Sequence, residues 1–301
     1  MKMPQSIKKY ILVAKPGIVC ANLISLTGGF LLASRGHIDA GALQATLVGT
    51  ALVIASGCVF NNCVDRHLDR KMTRTQNRVM AKGLMAPATA VVYASLLGLA
   101  GLALLYTAVP PLCACVVLAG FLVYVGLYSL CLKRKSVSSI LVGSLAGAAP
   151  PLAGYCAVTN RLDTGALLLL LIFCLWQIPH AYAIAVLRHE DYIAAAIPMW
   201  PVKRGTVAAK KHIVGYIAAF LAAALMLTVG GYTGRSFFMV AAATGLFWLL
   251  LACWGYRSSD SRRWARRLFV FSIFSITILS VMMAIDYTMP TTAGLLLTRT
   301  P

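Results

Sequence analysis

Acidic side chains are scarce in this sequence. It has eight Asp and Glu in 301 residues, against 27 Lys and Arg. Charge of either sign amounts to 12% of the chain, about half of what a soluble globular domain carries, which excludes that class. No Cys-x-x-Cys pair occurs among the nine cysteines, so neither a zinc site nor a disulfide framework is indicated. Cys20, Cys58, Cys113, Cys115, Cys174 and Cys253 lie inside apolar runs and read as small buried hydrophobes. No low-complexity tract or soluble domain interrupts the chain. A cleavable signal peptide is not recognisable either. A short basic arm with Lys2, Lys8 and Lys9 leads through Lys15-Pro16 into an apolar run that is expected to stay in the membrane.

What is abundant is apolar sequence. Hydrophobic residues make up 60% of the chain and the mean hydropathy is +0.81. Runs of about 20 apolar residues, enough to cross a bilayer, recur along it. Nine spans are expected, at 17–34, 41–60, 87–109, 112–132, 138–158, 166–187, 213–230, 237–256 and 268–285. The fold class is therefore all-α: a polytopic bundle of nine transmembrane helices forming a single domain over 1–301. Residues 1–16 are the basic arm and 288–301 a loosely ordered tail. The net charge of +19 would ordinarily suggest nucleic acid. Here no nucleic-acid partner is expected, because the charges sort by loop. With the N-terminus cytoplasmic, 23 Lys and Arg fall on the cytoplasmic side and four outside. The C-terminus is then on the outer side.

The densest polar stretch is Asn61 to Arg78, directly after the second apolar run. On a helix, Asn61, Asp65 and Asp69 drift only about 80° in total, forming one ridge. Two carboxylates and an amide oxygen suit Mg²⁺, which prefers oxygen ligands and shares them with substrate phosphates. The arginines that follow suit the phosphates. Glu190 and Asp191 emerge on the same face four spans later, where they either join Asp65 and Asp69 on a metal or neutralise nearby arginines. After them, residues 192–202 are apolar but too short to span, which suggests an interfacial segment or a lid. Pro150-Pro151 and Pro179 are expected to interrupt their helices. His180 is the one histidine well inside a span, where ionisable groups are costly and tend to be functional.

Several blocks carry a resemblance. Asn61-x-x-x-Asp65-x-x-x-Asp69 resembles the first aspartate motif of the UbiA-type intramembrane aromatic prenyltransferases. Asp65-Arg66 through Met72-x-Arg74-Thr75-x-x-Arg78, Tyr128-Ser129 with Leu132-Lys133-Arg134, and Gly147-Ala148-Ala149-Pro150-Pro151 narrow the likeness. So do Trp176-Gln177-Ile178-Pro179-His180 and Asp191-Tyr192 with Ile197-Pro198. Together they resemble the heme branch, the protoheme IX farnesyltransferases or heme O synthases. Two positions depart from that pattern: His67 stands where the family commonly has aspartate, and Val79 where it commonly has proline.

The resemblance implies transfer of a farnesyl group from farnesyl diphosphate to a vinyl group of heme B, with water addition, in a bacterial inner membrane. The site would face the cytoplasm. It implies Mg²⁺ on Asn61, Asp65, Asp69 and Asp191, and diphosphate on Arg74, Arg78, Lys133 and Arg134. His180, Tyr128 and Tyr182 would contact heme or prenyl chain. Heme B is then a substrate, and the product passes to a heme-copper terminal oxidase or a heme A synthase. A prenyltransferase for an aromatic quinone precursor shares the metal ridge. An anion transporter is the non-enzymatic alternative, although its ionisable groups belong near the midplane rather than at one face.

Overall fold

The computed structural model describes residues 5–288, so most of the tail expected at 288–301 lies outside the described residues. Eleven helices follow in order. They are α1 (Gln5–Val13), α2 (Pro16–Ser34), α3 (Ala40–Asp69), α4 (Pro87–Ala108), α5 (Pro111–Leu122), α6 (Ser139–Thr159), α7 (Thr164–Leu187), α8 (His189–Ala194), α9 (Trp200–Val229), α10 (Arg235–Trp254) and α11 (Ser261–Ile285). A π-helical segment, Val123–Leu132, continues α5. Among the described residues nine helices are long and apolar enough to cross a membrane, α5 and its π segment counting as one. The protein is a multi-pass membrane protein.

Helix starts follow local chemistry. Asp39 and Asp163 accept the amides of Ala42 and Ala166 at the heads of α3 and α7, and Pro16, Pro87 and Pro111 open α2, α4 and α5. Residues 5–13 of the arm are helical. They form α1, whose Tyr10 packs edge-on against Tyr93 of α4 and whose Val13 carbonyl accepts Asn62 Nδ2 at 2.7 Å.

In the packed bundle α2 lies against α6, α3 against α4, and α7 against α6, α9 and α11. The α2–α6 seam depends on absent side chains. A Cβ at Gly29 would strike the Pro151 carbonyl, and one at Gly154 the Leu26 carbonyl. Small residues are the usual way to bring membrane helices into backbone contact, since lipid offers no hydrophobic drive between them. The expected proline breaks are corrected here. α6 runs through Pro150-Pro151 and α7 through Pro179 without interruption. In α6 both prolines are buried against neighbouring helices, which restrain the chain where a donor is missing. The seventh span also starts earlier than 213. α9 begins at Trp200 and turns at Gly205, where φ is 82°.

Candidate active site

The polar ridge is built on the last turns of α3. Apolar periodicity from Ala40 carries the helix past Phe60 to Asp69, so Asn61, Asp65 and Asp69 share a helix as expected. All three are buried, to 4%, 1% and 1% exposure, a depth at which carboxylates demand partners. Each receives a cation from a different part of the chain. Lys15 Nζ donates to Asn61 Oδ1 at 2.8 Å. Lys133 Nζ donates to Asp65 Oδ2, and Arg78 Nη1 reaches both oxygens of Asp69 at 3.0 Å. Asn61 Nδ2 donates to Asp65 Oδ2 at 2.8 Å and to Ser129 Oγ at 3.2 Å. Arg134 stands farther off. It donates to the Val64 carbonyl, and its guanidinium lies 3.9 Å from Asp65 Oδ1. His67 is exposed, away from the ridge.

Lys133 reaches the ridge because of the π segment. There the backbone bonds span five residues, as in Lys133 N–H to the Tyr128 carbonyl at 2.9 Å. The wider turn stacks Tyr124 on Tyr128, ring centroids 6.2 Å apart, with Lys133 Nζ 6.0 Å from the Tyr128 centroid. The loop after α3 is equally specified. Thr75 Oγ1 donates to the Asp69 carbonyl, Arg70 Nε donates to the Ala81 carbonyl, and Met72, Val79 and Met80 are buried.

Asp191 comes to this same loop. Its Oδ1 accepts the Thr73 hydroxyl at 2.6 Å and the Thr73 amide at 2.8 Å. Burial opposes its charge. The two Thr73 hydrogen bonds, with Arg188 and Arg74 nearby, outweigh that and hold the carboxyl below its usual range. Burial likewise pushes the Lys15 ammonium down to about 8, with Arg78 adding to the effect.

A cavity of about 640 Å³ opens beside the ridge, well within the range for a cofactor-sized ligand. Thr50, Val53, Ile54, Gly57, Cys58 and Asn61 form its α3 wall, and Phe173, Trp176, Gln177, His180, Ala181 and Ile184 its α7 wall. Both sets follow the three-and-four spacing of one helix face. Gln177 fits only because Gly147 of α6 has no Cβ to meet its Oε1. Tyr192, Ile197 and Met199, from the short apolar segment, also line the cavity.

Of the residues singled out from sequence, Asn61, Asp69, Arg74, Arg78, Tyr128, Lys133 and His180 line this cavity. Asp65 lies behind Lys133. Tyr182 is not on the wall. Two residues beyond His180, it points about 200° round the helix and packs near His212 at 6.5 Å. Asp191 lines a second, smaller cavity of about 260 Å³, while its neighbour Tyr192 faces the large one. Lys15, Tyr124 and Gln177 were missed. The signal for Lys15 in the sequence is its place directly before Pro16.

The donor set fits a hard divalent ion. Asp65 Oδ1 is buried without a hydrogen-bond partner, beside amide and carboxylate oxygens. Among the described residues no three His, Cys, Asp or Glu side chains converge on one point. Mg²⁺ does not require such a cage, since it is commonly held by one or two carboxylates and completed by phosphate and water.

Comparison with known proteins bears on this geometry. The UbiA prenyltransferase family matches residues 22–276. Protoheme IX farnesyltransferase 2 of Pseudomonas fluorescens (strain Pf0-1) is 57% identical, over 98% of this chain and all of its own length. The chain belongs to the UbiA prenyltransferase family. Protoheme IX farnesyltransferase of Serratia proteamaculans (strain 568) is 59% identical, over 93% of this chain and 95% of its own. At the level of fold, a UbiA homolog from Archaeoglobus fulgidus bound to GPP and Mg²⁺ superposes with a TM-score of 0.70. It is 16% identical and covers 92% of this chain and 99% of its own. A family member of this kind is an enzyme of prenyl transfer.

Proposed function

We propose that this chain transfers a farnesyl group from farnesyl diphosphate to a vinyl group of heme B, giving heme O. The observation that carries the reading is one cavity with a cationic, carboxylate-backed end at α3 and an apolar chamber leading to Trp176 and His180. The protoheme IX farnesyltransferase names of its relatives support the acceptor, and the GPP and Mg²⁺ bound by the archaeal homolog support the donor.

The residues divide the work. Lys15, Arg74, Arg78 and Lys133 bind the diphosphate, with Arg134 as the outer charge of the set, and so stabilise the negative charge that grows as the allylic C–O bond breaks. Asn61, Asp65 and Asp69 would hold Mg²⁺, with Asp191 brought to the same end by Thr73. Mg²⁺ supplies Lewis-acid stabilisation of the leaving diphosphate. Tyr124 and Tyr128 present ring faces where cationic character develops. The apolar walls keep water from the allylic carbon until it has joined the vinyl carbon. Water oxygen then bonds to the remaining vinyl carbon and a proton is released, which balances the addition.

The sorting of basic loops supports a cytoplasmic N-terminus and a site facing the cytoplasm in a bacterial inner membrane. Heme O then leaves for a heme-copper oxidase or a heme A synthase. The test is to incubate purified protein with heme B, farnesyl diphosphate and Mg²⁺ and to weigh the porphyrin product. A porphyrin heavier by a farnesyl and a hydroxyl group, lost on chelation with EDTA, is the expected result. Prenylation of a hydroxybenzoate with heme B untouched would overturn the reading.

A further inference from the structure

The hydrogen bonds around His180 determine which ring nitrogen carries its proton. Ser272 of α11 is fully buried, and its Oγ lies 2.6 Å from the Phe269 carbonyl and 2.7 Å from His180 Nδ1. A carbonyl can only accept, so the single hydroxyl proton of Ser272 points at Phe269. Oγ therefore meets His180 with a lone pair, and Nδ1 must bring the proton. The neutral ring is then the Nδ1–H tautomer, with the free lone pair on Nε2.

The ring is also fixed in plane. Trp176 stacks on one side at 4.7 Å between centroids, and Phe269 packs at 5.0 Å. Trp176 Nε1 is itself tied to the Ser272 carbonyl at 2.8 Å, so one serine anchors both rings of the α7 wall. His180 lines the large cavity, and among the described residues Nε2 has no hydrogen-bond partner. An imidazole whose Nδ1–H is committed to a protein acceptor, and whose Nε2 lone pair faces a ligand cavity, is the arrangement metal-ligating histidines show. The metal that a large, mostly apolar chamber suits is one carried by a flat hydrophobic macrocycle.

We infer that His180 Nε2 is the axial ligand to the iron of the heme acceptor, and that Ser272 is the positioning residue that holds it in the ligating tautomer. The inference rests on heme being the acceptor. Ligation would fix the porphyrin at one point on the α7 wall, leaving its vinyl edge to be set by the chamber.

The experiment is a heme B titration of the full chain in detergent without farnesyl diphosphate, read by Soret position and by electron paramagnetic resonance of the ferric state. Wild type should show a single-imidazole signature. His180→Gln keeps an amide to meet Ser272 and cannot ligate iron in the same way. It should lose that signature, and His180→Ala should regain it with added imidazole. Ser272→Ala should weaken heme binding by about tenfold to a hundredfold, and Ser272→Thr, which keeps the hydroxyl acceptor, should restore it. Bound heme with an unchanged spectrum in His180→Gln would overturn the ligation and leave the acceptor standing. A flat titration with wild type would overturn both.

Discussion

Lys133 and Arg78 each have a buried acid behind them and the cavity in front. The acid orients the cation, and the cation makes burial of the acid tolerable, so removing the cation alone strands a buried charge. Lys133→Ala should destabilise the protein by about 3–5 kcal/mol because Asp65 is left without its nearest cation. Adding Asp65→Asn should recover part of that loss in thermal unfolding without recovering activity. By contrast, Asp65→Asn or Asp69→Asn alone should keep the fold and slow diphosphate release by about 10²–10³-fold, the scale of losing one preorganised electrostatic contact. Full turnover in both variants would remove the ridge from the mechanism. The ridge itself was legible in sequence, since three oxygen-bearing residues at a spacing of four must share a helix face. Its partners were not. Lys15 reaches Asn61 across 46 positions and Thr73 reaches Asp191 across 118, and no local pattern announces either pair.

At the scale of elements, the π segment decides which way the end of the fourth span faces. Val123–Leu132 reads in sequence as ordinary apolar helix, and its widened turn shows only in the backbone hydrogen bonds. Ser129 closes one of those turns by donating to the Tyr124 carbonyl at 2.8 Å and also receives the Asn61 amide. Deleting Gly126, where an added Cβ would meet nothing within 4 Å, should let the segment relax to an α-helix. Re-winding those turns would shift Lys133 off its present line to Asp65. Expression and helix content should stay near wild type while prenyl transfer falls below detection. Retained activity would mean that the π turn does not position Lys133. The prolines teach a related lesson. Their sequence positions imply breaks, yet the buried neighbours of α6 and α7 carry the helices straight through.

At the scale of the whole molecule, nine membrane-length helices among the described residues put the ends of the bundle at opposite faces of the membrane, and our proposal places the basic loops on the cytoplasmic face. Single cysteines at exposed Lys135 and Arg161, in a background lacking the native cysteines, should respond oppositely to an impermeant maleimide. In intact spheroplasts Arg161→Cys should label and Lys135→Cys should not, and the reverse pattern would put the diphosphate end outside. Composition alone determined that the chain lives in a bilayer, because no soluble surface can be made from so few charges. Hydrophobic run lengths determined the number of spans, and helical spacing determined the ridge. Only the tertiary structure decided which cation meets which acid, that Tyr182 turns into the core while His180 turns to the cavity, and that Asp191 locks onto Thr73. Those outcomes depend on how helices far apart in sequence are rotated against one another, and that rotation is set by packing along their whole length rather than by any one stretch.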